Sequence, residues 1–251
     1  MGREFYRAFA ADGASVDNLR PFIVFPAMKI HETKSAVTIN PPSAATATVI
    51  WLHGLGADGH DFVPIVPELN LPKDHGIRFI FPHAPVRPVT INNGMPMRAW
   101  YDILSLARMD KQDDAGIRAS EAIVHGAIRQ ELSLGIAVNR IVIAGFSQGG
   151  AIALHTALRY PQRLAGLLPL STYLPLNDKL AAEASEANRD LPILMCHGDY
   201  DAVLPLALGE SSCDILRAQG YTVDWRNYPM QHQVCAEEIE AIGLWLQEIL
   251  P

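Results

Sequence analysis

The sequence predicts an α/β fold with a mostly parallel central sheet and helices on both faces of that sheet. Short apolar segments with strand character alternate with segments of helical periodicity along most of the chain, and this alternation is typical of a parallel sheet covered on both sides. The run from Ile141 to Ala144 is apolar without polar alternation, as a strand buried on both faces should be. It leads through a serine-containing turn into a helical segment.

The other elements follow from periodicity and from the residues that begin or end them. Strands are predicted at residues 36–39, 47–52, 78–81, 141–144, 164–170, 193–197 and 222–228. Helices are predicted near residues 61–69, from Asp113 to about Gly135, from Gln148 to Arg159, between Pro205 and Gly220, and from Glu237 onward. Acidic first turns, prolines and glycines mark the helix limits. Residues 82–109 are predicted to form a long proline-rich loop.

The chain is predicted to form one domain preceded by an arm. Residues 1–33 show no clear period and are assigned to an N-terminal arm, whereas residues 34–251 carry the regular pattern and are assigned to a single domain. No internal repeat or linker-like composition divides the second segment. A chain of 251 residues, 49% of them hydrophobic, is long enough to bury the core of such a domain.

Charge and cysteine content exclude several classes of function. The formal net charge is −7 and the basic residues form no cluster, so neither nucleic acid nor an anionic membrane surface is an expected partner. No apolar run approaches the ~18 residues of a membrane span, and the three cysteines are too scattered for a disulfide framework or a metal site. We therefore expect a cytoplasmic protein that acts on a small molecule without membrane insertion.

The turn after the central apolar run has the pattern of a nucleophile elbow. Ser147 lies between Gly145 and Gly149, and a serine on such a strand-to-helix turn is held in a strained conformation that lifts its hydroxyl above the sheet. Side chains two residues to either side would collide with the neighbouring strand and helix, which explains the two glycines. A glycine-rich turn without chemistry is the alternative interpretation.

A nucleophilic serine needs a base and an acid, and in chains with this elbow the acid and then the histidine follow the serine. His155 lies about 12 Å along the elbow helix and cannot reach the serine. His197 precedes the candidate acids. Of the nine histidines only His232 follows them, so it is the predicted base. Asp199 and Asp201 both follow a predicted strand, and their positions alone do not separate them as the acid.

An oxyanion hole would complete the machinery, and it requires two backbone N–H groups. One is the amide of Gln148, which begins the elbow helix and has no intrahelical acceptor. The second is expected from the glycine loop His53-Gly54-Leu55-Gly56, which follows the strand at 47–52. Glycine loops after a strand also bind dinucleotide phosphates, but no helical pattern starts inside this loop, as that function requires.

Four motifs occur in order along the chain. They are Trp51-Leu52-His53-Gly54-Leu55-Gly56, Gly145-Phe146-Ser147-Gln148-Gly149-Gly150, His197-Gly198-x-x-Asp201-x-Val203 and Tyr228-x-Met230-x-His232. From about residue 47 to the end the chain resembles the carboxylesterase and acyl-protein thioesterase family of α/β hydrolases. Trp100-Tyr101-Asp102 and Leu170-Ser171-Thr172-Tyr173 are similar to its bacterial carboxylesterase branch. The resemblance implies the α/β-hydrolase fold, with Asp201 as the acid and the Leu55 amide as the second oxyanion donor.

The resemblance also implies an activity. We expect a serine hydrolase that cleaves carboxylic esters of short to medium acyl chains through an acyl-enzyme on Ser147, with no metal and no organic cofactor. Thioester hydrolysis, on an acylated protein or a small molecule, is one alternative, and a non-catalytic ligand-binding protein of the same fold is another. The acyl pocket is expected at loop residues that include Trp100, Tyr173 and Leu174. The expected partner is a small-molecule ester, and a homodimer is left open.

Overall fold

The structure is a computed structural model that describes residues 29–105 and 111–251. The strands in these residues are β1 (Lys29–Glu32), β2 (Ala36–Asn40), β3 (Ala47–Leu52), β4 (Ile77–Pro82), β5 (Val86–Val89), β6 (Met95–Arg98), β7 (Ile141–Phe146), β8 (Gly166–Leu170), β9 (Ile193–Gly198) and β10 (Val223–Tyr228). The α-helices are α1 (Asp114–Ser133), α2 (Gln148–Arg159), α3 (Asn177–Glu183), α4 (Leu206–Ala218) and α5 (Ala236–Ile249). Residues 1–28, most of the predicted arm, and residues 106–110, near the end of the predicted loop, lie outside this description.

Eight of the described strands form one sheet in the order β1-β2-β4-β3-β7-β8-β9-β10. Neighbouring strands are parallel from β4 to β10. The β1–β2 and β2–β4 pairs at the other edge are antiparallel. The predicted mostly parallel sheet is confirmed. Strand β1 lies at the end of the segment assigned to the arm, so its four residues extend the edge of the sheet.

Helices cover both faces of the sheet, as the sequence predicts. On one face, α1, α2 and α4 contribute Ile117, Ile152 and Leu216 to a buried core. On the other face, α5 contributes Ile242 and Trp245 to a second core. Successive side chains of β3 alternate between the two cores, because neighbouring residues of a strand point to opposite faces. A strand covered on both sides therefore needs an uninterrupted apolar sequence.

Three segments differ from the sequence prediction. The predicted helix after the glycine loop is a 3₁₀ helix, Val63–Leu69, with Pro67 in its interior, where a proline disfavours an α-helix. The predicted long loop contains an antiparallel hairpin of β5 and β6, in which Pro88 and Pro96 lie opposite each other. An isolated hairpin tolerates their missing N–H groups. Helix α3 was not predicted, because its seven residues are too few to show a helical period.

The fold gathers the predicted site at one edge of the sheet. Strands β3, β7, β9 and β10 run parallel to one another. The loops that leave their carboxyl ends carry Leu55, Ser147, Asp201 and His232, in that order. Ligands of open α/β sheets bind at the carboxyl ends of the strands. Four loops that are distant in sequence can therefore contribute to one site.

The helix that follows the His232 loop contains a buried acid. Glu238 is the third residue of α5 and has no exposed surface. Burial raises the pKa of its carboxyl group from the ordinary 4.5 to about 8. The folded protein therefore keeps a proton that the unfolded chain releases at lower pH. The stability linked to this proton is fully present below the unfolded pKa and is lost as the pH rises through the folded pKa.

Replacing Glu238 by glutamine should remove this pH dependence, because the amide has a similar size and cannot ionise. We expect the free energy of unfolding of the wild type to fall more steeply between about pH 5 and about pH 8 than that of Glu238→Gln, with a limiting difference of ~1.4 kcal/mol per pH unit. Urea unfolding of both proteins across this range measures the difference. Parallel curves for the two proteins would show that the folded state does not hold this proton.

Candidate active site

Ser147 occupies a strained turn between β7 and α2. Its backbone dihedrals are φ 54° and ψ −120°, a sparsely populated combination for a residue with a side chain. Its amide donates to the carbonyl of Leu170 at 2.8 Å, and the hydroxyl of Thr172 donates to its carbonyl at 2.7 Å. These two bonds to the end of β8 and the following loop hold the turn in the shape that a nucleophile elbow requires.

The two glycines that flank the turn are required by close backbone contacts. A Cβ atom on Gly145 would lie 2.3 Å from the carbonyl oxygen of Gly149, and a Cβ atom on Gly149 would lie 2.3 Å from the carbonyl oxygen of Leu52. Both contacts are with backbone atoms, which cannot turn aside as a flexible side chain can. The Gly-x-Ser-x-Gly pattern therefore reflects how closely α2 approaches β7 and β3.

Ser147, His232 and Asp201 form a continuous series of hydrogen bonds. The Oγ atom of Ser147 lies 2.9 Å from Nε2 of His232, and Nδ1 of His232 lies 2.6 Å from Oδ2 of Asp201. Because an ionised carboxylate only accepts hydrogen bonds, Nδ1 carries the proton and Nε2 is left to accept the proton of the serine hydroxyl. The structure thus brings together three side chains that are far apart in the sequence.

Asp201 is held as a buried anion. Its second oxygen, Oδ1, accepts hydrogen bonds from the amides of Val203 and Leu204 at 2.9 and 2.8 Å. Burial raises the pKa of the carboxyl group, but the hydrogen bonds from His232 and from these amides lower it by more, so the pKa lies below its ordinary value. The group is ionised at neutral pH and can stabilise a protonated imidazole.

Asp199, in the same loop, has a different partner. Its carboxylate accepts a hydrogen bond from the side-chain amide of Asn227, on β10. Asp201 instead accepts the N–H of His232. Their positions in the sequence alone do not separate the two aspartates, but only the carboxylate of Asp201 is hydrogen-bonded to the imidazole. The geometry therefore agrees with the acid that the family resemblance implies.

The two predicted oxyanion amides lie on loops next to Ser147. A Cβ atom on Gly54 would lie 3.6 Å from the Cβ of Ser147, so the glycine loop passes directly against the serine. The amide of Leu55 has no acceptor among the described residues. The amide of Gln148 begins α2 and has no intrahelical acceptor. Both N–H groups are therefore available to a ligand oxygen, as an oxyanion hole requires.

Comparison with known proteins identifies the family. A profile of the phospholipase/carboxylesterase family matches residues 33–250. The chain belongs to this family. Acyl-protein thioesterase 1 of Neurospora crassa is 41% identical over 241 residues, which cover 92% of this chain and 93% of that protein. Acyl-protein thioesterase 1 of Cryptococcus neoformans is 39% identical over 231 residues, which cover 84% and 96% of the two chains.

Solved structures of family relatives have the same fold. Acyl-protein thioesterase 2 of Zea mays superposes with a TM-score of 0.77 at 32% identity, covering 86% of this chain and 99% of that chain. SOBER1 of Arabidopsis thaliana also superposes with a TM-score of 0.77, at 31% identity, covering 82% of this chain and 99% of that chain. These similarities confirm the predicted α/β-hydrolase fold. With the family profile, they make the protein a hydrolase of the phospholipase/carboxylesterase family.

Three residues that were predicted to line the acyl pocket lie inside this hydrolase. Trp100 has no exposed surface, and Tyr173 and Leu174 are 6% and 3% exposed. The hydroxyl groups of Tyr173 and Tyr101 are hydrogen-bonded at 2.8 Å, and the amide of Leu174 donates to the hydroxyl of Ser212 at 2.9 Å. Trp100, Tyr101 and Leu174 belong to the same buried core. The three side chains are therefore packed into the protein rather than exposed, and their contact with an acyl chain stays a prediction.

Exposed apolar side chains lie instead on the hairpin and on the loop after β9. On β6, Met95 is 60% exposed, and the sulfur of Met97 lies 3.9 Å from the position of a Cβ on Gly56. The glycine loop is also tied to this strand by a hydrogen bond of 2.8 Å from the Gly56 amide to the carbonyl of Arg98. After β9, Val203 is 52% exposed. The hairpin therefore lies against the glycine loop, and Met95 and Val203 expose apolar side chains on these two segments.

Sequence reasoning missed two residues that contact the hydrogen-bonded series. The ring of Phe146 packs on the imidazole of His232 with centroids 4.8 Å apart. His197 donates from Nε2 to the carbonyl of Leu204 at 2.8 Å, and this nitrogen lies 3.5 Å from Oδ2 of Asp201. Burial lowers the pKa of His197, so it is a neutral donor. Both residues belong to the quoted motifs, so the sequence marked their positions but not their contacts with His232 and Asp201.

Two further observations concern the part of the chain that the structure describes. No helix in it combines the length and the apolar character of a membrane span. No group of three or more histidine, cysteine, aspartate or glutamate side chains in the same residues is arranged to hold a metal ion.

Proposed function

We propose that the protein is a serine hydrolase that cleaves acyl esters and thioesters through an acyl-enzyme on Ser147. The observation that carries this proposal is the unbroken series of hydrogen bonds from Ser147 through His232 to Asp201. A serine hydroxyl is a weak nucleophile until a base removes its proton. A strained turn that presents the hydroxyl to a histidine, with two amides beside it, meets each requirement of acyl transfer.

The first half of the proposed reaction forms the acyl-enzyme. The Oγ atom of Ser147 attacks the carbonyl carbon of the substrate while Nε2 of His232 takes the hydroxyl proton. Asp201 stabilises the resulting imidazolium through its hydrogen bond to Nδ1. The carbonyl oxygen becomes an oxyanion, which accepts hydrogen bonds from the amides of Leu55 and Gln148. The bond to the leaving group then breaks, and His232 returns the proton to the departing alcohol or thiol.

The second half releases the acid. Water takes the place of the leaving group and gives a proton to Nε2 of His232 as its oxygen attacks the acyl carbon. The same two amides stabilise the second oxyanion. The acyl bond to Ser147 breaks, the serine recovers its proton from the imidazolium, and the carboxylic acid leaves. The substrate, one water molecule and the side chains of Ser147 and His232 account for every bond and proton in the two halves.

The leaving group is the second part of the proposal. The motifs favour a carboxylic ester, and the family description includes carboxylesterases. Relatives at 41% and 39% identity are acyl-protein thioesterases, which supports the thioester of an acylated protein as the natural substrate. The same attack on a carbonyl carbon cleaves both bonds. A thiol with a pKa of about 8.5 also leaves more readily than an ordinary alcohol.

Active-site labelling tests the nucleophile. A fluorophosphonate should react with the wild type with loss of fluoride, and mass mapping should find the label on the peptide that contains Ser147. The matched control is Ser147→Ala, which should remain unlabelled. A folded wild type that takes up no label would contradict the serine-hydrolase proposal and would favour a non-catalytic binding protein of the same fold.

A matched pair of substrates tests the leaving group. Two peptides of one sequence are compared, one with an octanoyl group on a cysteine sulfur and the other with the same group on a serine oxygen. We expect hydrolysis of both, with the larger kcat/KM for the thioester. A larger kcat/KM for the oxygen ester would instead favour a carboxylesterase and would leave the role of Ser147 unchanged.

Helix α3 bears on the length of acyl chain that the site accepts. It lies between β8 and β9, where many lipases place a lid. Its side chains form ion pairs with α1 and α2. Lys179 pairs with Asp114 of α1. Glu183 pairs with Arg118 of α1 at 2.6 Å and with Arg159 of α2 at 2.7 Å. Because these ion pairs hold α3 against α1 and α2, we infer that α3 does not cover the site and that the acyl site is open.

An open site predicts a limit in chain length. For p-nitrophenyl esters, kcat/KM should rise from acetate to about hexanoate or octanoate and then stop rising. Each methylene group that the apolar surface buries contributes about 0.8 kcal/mol, whereas carbons beyond that surface remain in water. Initial rates across the soluble series measure the limit, and no jump in rate is expected at the solubility limit of the substrate. A steady increase to palmitate would indicate a long covered tunnel.

A further inference from the structure

We propose that Trp100 and the side chain of Gln148 form a clasp that sets the distance between the two oxyanion amides. The proposal rests on the function proposed for Ser147, because it assigns a purpose to groups around that serine. The amides of Leu55 and Gln148 belong to loops that follow different strands, yet they must point to one oxygen atom. The side chains of Trp100 and Gln148 make their hydrogen bonds to backbone groups, so we assign both as positioning groups.

The first part of the clasp is the Gln148 side chain. Its Oε1 atom accepts the amide N–H of Trp100 at 2.8 Å, and its Nε2 atom donates to the carbonyl of Tyr101 at 2.7 Å. Gln148 is 3% exposed, so both ends of its amide are satisfied away from water. A buried amide with two backbone partners has one allowed orientation. The residue that supplies one oxyanion amide is thereby fastened to the chain after β6.

The second part of the clasp is the Trp100 indole. Its Nε1 atom donates to the carbonyl of His53 at 2.8 Å, two residues before Leu55. The ring has no exposed surface, and its centroid lies 5.2 Å from that of the His53 imidazole. The carbonyl of Trp100 accepts a further hydrogen bond from the hydroxyl of Ser120, on α1. One buried residue thus connects the glycine loop, the Gln148 side chain and a helix of the core.

His53 stiffens the loop from its other side. Its Nε2 atom accepts the amide N–H of Ala84 at 3.0 Å, so its proton is on Nδ1, which donates to the carbonyl of Gly54 at 2.7 Å. Burial lowers the pKa of His53 to about 4, so the ring keeps this neutral form at the pH of an assay. The loop that carries Leu55 is therefore held both at its backbone and at a side chain.

The clasp should affect stabilisation of the transition state but not binding of the substrate. An oxyanion hole acts only if its donors lie about 2.7–3.1 Å from the position of the oxyanion, and removing one donor costs roughly a hundredfold to a thousandfold in kcat. Without the indole N–H, the His53 carbonyl loses a buried partner and the glycine loop can relax. Loss of the clasp should therefore weaken transition-state binding and leave substrate binding and the His232–Asp201 pair unchanged.

Two variants remove the clasp, and a third serves as a matched control. Trp100→Phe deletes the indole N–H and keeps an aromatic ring, and Gln148→Met keeps the length of the side chain without its hydrogen bonds. The control is Trp51→Phe. Trp51 is a fully buried tryptophan of β3 whose Nε1 atom has no partner within residues 29–105 and 111–251. The Trp51→Phe variant therefore measures how much activity changes when a buried tryptophan is replaced by phenylalanine and no hydrogen bond is lost.

The measurements are kcat, KM, the pH profile of kcat/KM, and the inhibition constant of an octyl trifluoromethyl ketone. Ser147 adds to this ketone to form a tetrahedral oxyanion. Trp100→Phe and Gln148→Met should each lower kcat about tenfold to a hundredfold, a part of the cost of one lost donor, and should weaken the inhibitor by a similar factor. Their KM and the apparent pKa of the profile should match the wild type. Trp51→Phe should stay within about twofold of the wild type in each measurement.

Active-site titration with a fluorophosphonate gives the fraction of correctly folded enzyme, so a loss of folding is separated from a loss of rate. If Trp100→Phe does not fold, Gln148→Met carries the test alone. Clasp variants that behave like Trp51→Phe would overturn the clasp, as would a shifted pH profile or a loss confined to KM. A wild type that reacts with neither the ketone nor the fluorophosphonate would overturn the proposed function instead.

Discussion

Replacing Ser147 by alanine should lower kcat/KM on the order of 10⁴- to 10⁶-fold, and replacing His232 by alanine should cost nearly as much. The double variant should lose no more than the worse single variant. The reason is that the serine and the histidine act in one step, in which Nε2 takes the proton of an Oγ atom 2.9 Å away. Once either group is absent, the other no longer contributes to catalysis.

Steady-state kinetics of the two single variants and the double variant test this non-additivity. Ser133→Ala is a suitable control, since Ser133 is exposed at the end of α1, where its hydroxyl donates to the carbonyl of Gln130. It should retain full activity. If the double variant lost the product of the two single losses, Ser147 and His232 would act independently, and the proposed mechanism would have to be abandoned.

Asp201→Asn should lower kcat by roughly 10³- to 10⁴-fold, whereas the same substitution at Asp199 should change it by less than about tenfold. An asparagine at position 201 keeps the size of the side chain but no longer offers His232 a negatively charged acceptor. The imidazolium that forms during attack is then less stable, and the wrong tautomer is favoured. Asp199 accepts from Asn227 instead, so its substitution affects the loop after β9.

These two variants form a matched pair, because the same change is made two residues apart in one loop. Kinetics and thermal unfolding should be measured on both. The expected pattern is a kinetic loss at Asp201 that greatly exceeds its effect on stability, and the reverse at Asp199. A folded Asp199→Asn protein with the larger kinetic loss would exchange the roles of the two carboxylates and leave the rest of the mechanism in place.

The sequence by itself determined the parts of the protein that depend on neighbours along the chain. Gly145, Ser147 and Gly149 specify a turn in which a side chain at either glycine position would meet backbone atoms at 2.3 Å, and this steric requirement is visible in the residues themselves. The uninterrupted apolar strands predicted a parallel sheet, because a strand covered on both faces has no polar side. The order of serine, acid and histidine singled out His232, since a fold with one connectivity presents its loops in one order.

Only the tertiary structure decided what depends on contacts between distant segments. Trp100, Tyr173 and Leu174 lie in segments predicted as loops, and only the structure shows that they are buried and which distant groups they contact, such as the His53 carbonyl that accepts the indole N–H of Trp100. The two aspartates after β9 are not separated by their positions in the sequence; the family resemblance implies Asp201, and the structure shows that Asp201 is the one that accepts the N–H of His232. Burial and hydrogen-bond partners are set by how the elements pack, and no local pattern of residue types records which distant group a side chain will meet.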